Sequence, residues 1–192
     1  MNVAFKIAAG LALGVLMWTL FEYFLHRFAG HASWLGRTVR KEHFTHHATP
    51  DYFTPWRRKL LLAAPILSVV GAVGYLLAGP AGLAAAAGLA ASWVFYEQLH
   101  QATHISGPRN AYGEWARRHH LHHHFQSPKA NHGVTTPLWD YVFGTLERPS
   151  AIAVPRRHVR CFAWLLDDEG GIDPALRRPL PPRLTSRRPR HA

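Results

Sequence analysis

The chain has 192 residues, 48% of them apolar, with 7 Trp and 10 Phe. Such a composition can bury a core, which excludes an intrinsically disordered protein. Its 22 Lys and Arg against 11 Asp and Glu give a net charge of +11, an excess that suits either nucleic acid or anionic lipid head groups. Because the basic residues flank long apolar stretches, the sequence favours lipid and argues against a nucleic-acid partner.

Three apolar segments are long enough to be membrane helices. They run over Val3–Leu25, Leu60–Ala78 and Ala81–Leu99, and about 20 apolar residues suffice to cross ~30 Å of hydrocarbon. Gly79 and Pro80 separate the last two and predict a tight hairpin. The first segment is longer than the core of a signal peptide and lacks a small-residue cleavage site. The sequence therefore predicts an all-α integral membrane bundle of about three to four membrane helices.

The distribution of basic residues predicts the orientation of these spans. Of the 22 Lys and Arg, only Lys6 precedes the end of the first span, and none lies between residues 60 and 100. The positive-inside rule then places residues 27–59 and the segment after residue 100 in the cytoplasm. The lone Cys161 excludes an intrachain disulfide and fits a reducing compartment.

The distribution of apolar and basic residues predicts two regions. Residues 1–148 are expected to form a membrane domain with a cytosolic helical cap, and residues 149–192 a basic tail rich in Pro and Arg. Residues 155–166 of the tail predict a helix at the membrane interface. Its lipid-facing side chains would be Phe162, Trp164, Leu165 and Leu166. Residues 174–192 have the composition of a disordered segment.

Ten of the 15 histidines form four clusters, all at or just beyond the predicted cytoplasmic ends of the spans. Neutral imidazole is the commonest side-chain metal ligand, and ten imidazoles suffice for two metal ions. A single cluster of this kind is more often a metal-scavenging surface tract or a solvated basic patch than an enzyme site, but neither explains four clusters on one face. The predicted metal ligands are His26, His31, His43, His46, His47, His100, His104, His120, His123 and His124.

Spacing within the clusters predicts how the imidazoles converge. The pattern HxxHH occurs at residues 43–47 and again within residues 119–124, and its positions i, i+3 and i+4 share one face of a helix. His26 and His31 lie five residues apart and need a helix end or bend between them. In the last cluster, His119/His122/His123 has the same spacing as His120/His123/His124, so two registers remain open.

Two carboxylates near the clusters have two interpretations. Glu22 precedes His26 by four residues and Glu97 precedes His100 by three. Either carboxylate could orient a liganding imidazole by accepting its second N–H, or it could form an ion pair with Lys or Arg at the membrane boundary. Of the other histidines, His158 and His191 are expected in solvent. His119, His122 and His132 are expected near the site without being ligands.

The motifs HRFAGH, KEHFTHH, LHQATH and HHLHHHF occur in this order and are closed by NHGVTTPLWDYVFGT. From Trp18 to Thr145 this pattern resembles the fatty acid hydroxylase / sterol desaturase superfamily of integral-membrane oxygenases. The resemblance implies that the ten histidines hold two Fe ions with O₂ as co-substrate, and it favours the His120/His123/His124 register. Zinc could occupy the same imidazoles in a purified sample, since affinity alone does not select iron.

The resemblance also implies a substrate class and a partner. The HxxxH spacing of His100 and His104 and the ending GVTTPLWDYVFGT are most similar to the fatty acid hydroxylase branch. A membrane lipid would then be hydroxylated on a fatty acyl chain, on the cytoplasmic face, with electrons from a separate ferredoxin, cytochrome or reductase. A sterol- or carotenoid-type hydroxylase or desaturase, and a non-catalytic membrane metal-binding protein, are the alternatives. No feature of the sequence indicates an oligomeric state.

Overall fold

The structure, a computed structural model, describes residues 2–32, 36–149, 151, 153–167, 169, 171 and 183–185. Almost all regular structure in these residues is helical, which confirms the predicted all-α class. The elements in chain order are α1 (Val3–Phe24), a π-helical turn (Leu25–Gly30), α2 (Arg37–Ala48), α3 (Trp56–Ala78), α4 (Pro80–Ile105), α5 (Ala111–Phe125), α6 (Leu138–Val142), β1 (Ala153–Pro155), a 3₁₀ helix (Arg156–Leu165) and β2 (Arg183–Thr185).

The chain forms two compact units. The first contains the residues up to Glu22 together with Thr54–Glu97, and the second contains Tyr23–Phe53 together with the residues from Gln98 onward. The three predicted spans coincide with α1, α3 and α4. Within the described residues, two helical stretches are long and apolar enough to cross a membrane, Val3–Gly30 and Trp56–Ala78. Spanning by α4 stays a prediction.

Helix α3 exposes large aliphatic side chains. Leu61, Leu76 and Leu77 are 76%, 83% and 82% exposed. A soluble protein rarely leaves a contiguous apolar face of this kind in water. Contact with lipid hydrocarbon accounts for it.

Small residues bring the helices of the first unit close together. A Cβ on Gly14 would lie 2.0 Å from the carbonyl oxygen of Ala85, so α1 and α4 can approach only because glycine stands there. Gly74 and Gly82 meet in the same way across the α3–α4 hairpin. Such close approach is how membrane helices gain packing energy without a hydrophobic driving force between them.

The second unit has a small apolar core beside α5. Phe162 and Leu165 are 0% and 1% exposed and pack against this helix, so the prediction that they face lipid is wrong. In a 3₁₀ helix residues three apart lie on one side, which puts both side chains on the buried face despite a kink at Phe162. The buried core residues are Leu121, Phe125, Val154, Phe162 and Leu165, with Cys161 and Trp164 packed against them.

The tail differs from the expected interfacial helix followed by disorder. Residues 153–155 pair in parallel with residues 183–185, where a disordered segment was expected. Residues 172–182 and 186–192, including His191, lie outside the described residues. The predicted domain boundary after residue 148 stays a prediction.

Candidate metal centre

All ten predicted ligands lie in the second unit, and the structure brings them together in two groups of five. Within each group the candidate ligand atoms all lie within 4.8 Å of one another. We call them the first and the second imidazole group. The first contains His26, His31, His43, His47 and His123, and the second contains His46, His100, His104, His120 and His124.

The two groups are neighbours because consecutive residues of one helix serve both. His46 and His47 on α2 belong to different groups, as do His123 and His124 on α5. The rings of His47 and His124 stack with centroids 4.0 Å apart and an interplanar angle of 6°. The two groups therefore lie directly beside each other.

A π-helical turn, rather than a helix break, lets His26 and His31 converge. Hydrogen bonds in a π-helix join residues five apart, so this wider turn places the two imidazoles on one side. Their rings stack with centroids 5.6 Å apart. Gly30 in this turn lies against the ring of His43, because a Cβ there would be 2.9 Å from Cδ2 of that ring. Glycine thus makes room for a predicted ligand from α2.

Helix α5 presents its histidines in the register His120, His123 and His124. All three are at most 2% exposed and belong to the two groups. The alternative residues face carboxylates instead. His119 Nε2 donates to Asp140 at 3.2 Å, and His122 Nε2 donates to Glu147 at 2.6 Å.

Backbone carbonyls fix the orientation of three of the imidazoles. The Nδ1–H groups of His26, His46 and His123 donate to the carbonyls of His132, Tyr52 and Ala130 at 2.5, 2.8 and 2.7 Å. Because a carbonyl only accepts, Nδ1 carries the proton in each ring and Nε2 keeps its lone pair for a metal.

Asp140 organises the loop that supplies two of those carbonyls. Its Oδ1 accepts from the backbone N–H of His132 and from the Thr145 hydroxyl at 2.8 and 2.7 Å, and its Oδ2 accepts from the backbone N–H of Gly133 at 2.8 Å. Burial alone would raise the pKa of Asp140, but these hydrogen bonds and the one from His119 hold it below its usual value. Asp140 is 0% exposed, and the sequence reasoning missed it although it lies in the closing motif.

Burial keeps the predicted ligands neutral. It lowers the pKa of His31 to about 4, with further lowering by neighbouring positive charge. It also holds the pKa of His43, His47, His104, His120, His123 and His124 well below the usual value, assisted by the adjacent imidazoles. Metal ligation requires the neutral ring, so these side chains are in the competent state at pH 7.

The arrangement of the nitrogens fits bound metal ions. His31 Nε2 lies 2.9 Å from Nε2 of both His43 and His123, and His104 Nε2 lies 2.9 Å from His120 Nε2. Imidazole binds zinc at about 2.0–2.1 Å, so two nitrogens at right angles around one such ion lie about 3 Å apart.

Buried nitrogens without partners support the same fit. Among the described residues, Nε2 of His26, His47 and His124 is buried with no hydrogen-bond partner. An unsatisfied buried polar atom costs about 1–3 kcal/mol. Bound metal would use these lone pairs and remove that cost.

Glu22 and Glu97, the two carboxylates with two alternative interpretations, lie in the first unit. Glu97 accepts a hydrogen bond from Trp93 Nε1 at 3.2 Å and forms an ion pair with Lys59, which is the boundary-pair interpretation. Glu22 is buried at 2% exposure. For both residues a role in orienting an imidazole stays a prediction. The orienting acceptors identified above are backbone carbonyls.

The remaining histidines that the structure describes lie outside the two groups. His132 is 2% exposed, and its ring centroid lies 5.2 Å from that of His123. His158 is 8% exposed and stacks on Phe125, so the prediction of a solvated side chain is wrong. The 3₁₀ helix carries His158 into the core beside α5.

Membrane-length helices and ten clustered imidazoles together describe a membrane protein whose histidines are suited to bind metal. The family model for fatty acid hydroxylases matches residues 11–145, and the chain belongs to this family.

Relatives and a solved structure agree with this membership. The chain is 35% identical over 158 residues to a dihydroceramide fatty acyl 2-hydroxylase of Arabidopsis thaliana, covering 77% of this chain and 65% of that protein. It is 34% identical over 144 residues to a fatty acid 2-hydroxylase of Rattus norvegicus, covering 70% and 38%. The solved hydroxylase domain of full-length scs7p has a TM-score of 0.64 at 33% identity, covering 79% of this chain and 60% of that one. The chain thus spans less than two thirds of the length of each of these proteins.

Proposed function

We propose that the chain is a membrane oxidoreductase that hydroxylates a fatty acyl chain of a lipid, using two iron ions held by the first and second imidazole groups. The observation that carries the proposal is the convergence of ten imidazoles into two adjacent groups of five. The relatives named as fatty acyl 2-hydroxylases favour carbon 2 of the acyl chain as the site.

The reaction must balance as a monooxygenation. One atom of O₂ enters the C–H bond as a hydroxyl, and the other leaves as water after taking up two electrons and two protons. A redox-active metal held by the two imidazole groups would activate O₂ for attack on an unactivated C–H bond, which zinc cannot do. The two electrons would come from a separate ferredoxin, cytochrome or reductase.

The protein's own residues would hold and shield this centre. Carbonyls of residues 130, 132 and 52 orient imidazoles, and burial keeps the rings neutral and excludes water. An apolar acyl chain would enter from the bilayer that surrounds the exposed leucines of α3.

The active site would face the cytoplasm. Arg57 and Arg58 are exposed at the start of α3, and the positive-inside rule places this end in the cytoplasm. Cys161, the single cysteine, lies in the second unit. Labelling of its thiol therefore shows on which side of the membrane the second unit lies. A membrane-impermeant maleimide should label Cys161 in opened membranes but not in intact cells. Labelling in intact cells would mean that the site faces the outside. Labelling of the denatured protein is the control that the thiol can react with the maleimide.

Lipid mass spectrometry tests the activity. Cells expressing the chain should contain acyl chains heavier by one oxygen atom, with fragments placing it at carbon 2. His123→Ala should abolish the product. His122→Gln is the matched control, because this neighbouring residue lies outside both groups and glutamine can still donate to Glu147.

The other functions give different results in the same experiment. Loss of two hydrogen atoms from an acyl chain would indicate a desaturase, and oxygen gained by a sterol or carotenoid would indicate those substrate classes. Bound metal with no change in any lipid and no O₂ consumption would indicate a metal-binding protein without catalysis.

A further inference from the structure

The last two turns of α4 carry His100 and His104 of the second imidazole group, and the helix ends at Ile105. The last four carbonyls of a helix have no partner within it. A side chain from α5 binds some of these carbonyls. Arg117 donates from Nη2 to the carbonyl of Ala102 at 3.1 Å and from Nε to that of Thr103 at 3.3 Å, and it also binds the carbonyl of Ser106.

Arg117 is itself buried, at 4% exposure. Its bonds tie together the two helices that bring His104 and His120 to within 2.9 Å of each other. A buried guanidinium is stable only when its donors and its charge are compensated. Part of that compensation comes from a residue far along the chain.

Trp164 of the 3₁₀ helix completes the arrangement. The Cζ atom of Arg117 lies 4.4 Å from the centroid of the Trp164 ring, within the range of a cation–π interaction. The indole Nε1–H donates to the carbonyl of His104 at 2.6 Å. Phe162, two residues earlier, places its ring centroid 5.7 Å from that of His104.

We propose that Trp164 is a positioning residue for the second imidazole group, acting through Arg117 and the end of α4. It holds the backbone of a predicted ligand directly and braces the α4–α5 contact through its ring. This residue lies outside the stretch matched by the family model, residues 11–145. The inference rests on the proposed function only in requiring that the groups bind metal.

The effect should be confined to one of two metal ions. The first imidazole group is held instead by the carbonyls of residues 130 and 132. Loss of the brace should therefore loosen the ion of the second group and leave the other ion in place. Changes to outer partners of metal ligands cost about 10–100-fold in affinity.

The test measures how fast a chelator removes metal from the protein. The whole chain in detergent is loaded with Co²⁺ and mixed with the chelator, and the release of Co²⁺ is followed by absorbance. Trp164→Phe keeps a ring over Arg117 and loses the N–H donor, and it should speed release of one ion about 10-fold. Trp164→Ala loses both and should speed it about 100-fold. Leu165→Ala is the matched control, since this core residue of the same helix should lower the unfolding temperature without a selective change in release.

Two double variants, in which Trp164→Phe is combined with loss of one ligand, identify the ion that is affected. In His123→Ala, which impairs the first group, Trp164→Phe should still speed release of the remaining ion. In His120→Ala, which impairs the second group, it should have no effect. Equal acceleration of both ions, or a change no larger than that in Leu165→Ala, would overturn the inference. Failure of the unmutated protein to bind metal would overturn the proposed function as well.

Discussion

The two imidazole groups differ in how deeply they lie and in what holds them. Three of the five residues in the first group, His31, His43 and His47, are only partly buried, whereas in the second group this is true of His100 alone. A loop organised by Asp140 supports the first group, and the ends of two packed helices support the second. Similar ligand sets can thus be built at unequal depth, and we expect unequal metal exchange from them.

Removal of one ligand from either group should have the largest effect. His43→Ala in the first group and His104→Ala in the second should each reduce the product below detection, because the proposed reaction with O₂ uses both ions. Each variant should still retain about one metal ion per chain, since the other five imidazoles are unchanged. Metal analysis of the purified variants together with lipid mass spectrometry checks this. Loss of both ions from either variant would mean that the groups are not separate.

Asp140→Asn should weaken the first group selectively. The asparagine amide would face donors that now meet a carboxylate, so the loop that carries the acceptors of His26 and His123 would shift. We expect about 10–100-fold weaker binding of one ion, measured by chelator competition. Asp167→Asn, at a carboxylate that accepts from residues 169 and 171 of the tail, is the matched control. Equal weakening of both ions would contradict the assignment of Asp140 to one group.

The unmutated protein should release its two ions at different rates. We expect the ion of the first group to leave about 10-fold faster, because partly exposed ligands admit water and chelator more readily. Biphasic release from Co²⁺-loaded protein would show this difference. His120→Ala should retain the fast phase and His123→Ala the slow one. A single release phase in the unmutated protein would contradict the inference that the two groups exchange metal at different rates because of their unequal depth.

Acidification of the metal-free protein should have a smaller, graded effect. The pKa of the buried histidines is lowered on folding, so the unfolded chain binds more protons below its own pKa of about 6.5. Their stabilising contribution is full above that pH and falls as the pH drops toward the lower pKa of the folded state. The unfolding temperature should therefore decrease between about pH 6.5 and pH 5. A flat profile would mean that these rings do not gain charge on unfolding.

Most of what the sequence predicts about the site follows from the spacing of residues within single helices. His120, His123 and His124 share a helical face, so periodicity alone predicts their convergence once a helix is assumed. The three apolar segments likewise gave the positions of α1, α3 and α4. Predictions of this kind depend only on contacts within one element.

The missed features depend on backbone geometry that the residue pattern does not encode. The five-residue spacing of His26 and His31 predicted a bend, and the wider π-helical turn that joins them has no distinct signature in six residues. Phe162 was expected to face lipid as part of an interfacial helix, but this segment forms a 3₁₀ helix that carries the side chain into the core beside α5. Asp140 binds backbone N–H groups and Trp164 a backbone carbonyl, and no pattern of side chains reveals which backbone group a residue will bind.

The bond from Trp164 to the carbonyl of His104 joins residues 60 positions apart. A ribosome makes the chain from its N-terminus, at about 5–20 residues per second. All five imidazoles of the second group are therefore synthesised before the indole that braces them emerges. Metal loaded before that moment would enter a group that lacks this brace, so we expect the second group to hold its ion firmly only after the 3₁₀ helix has been made.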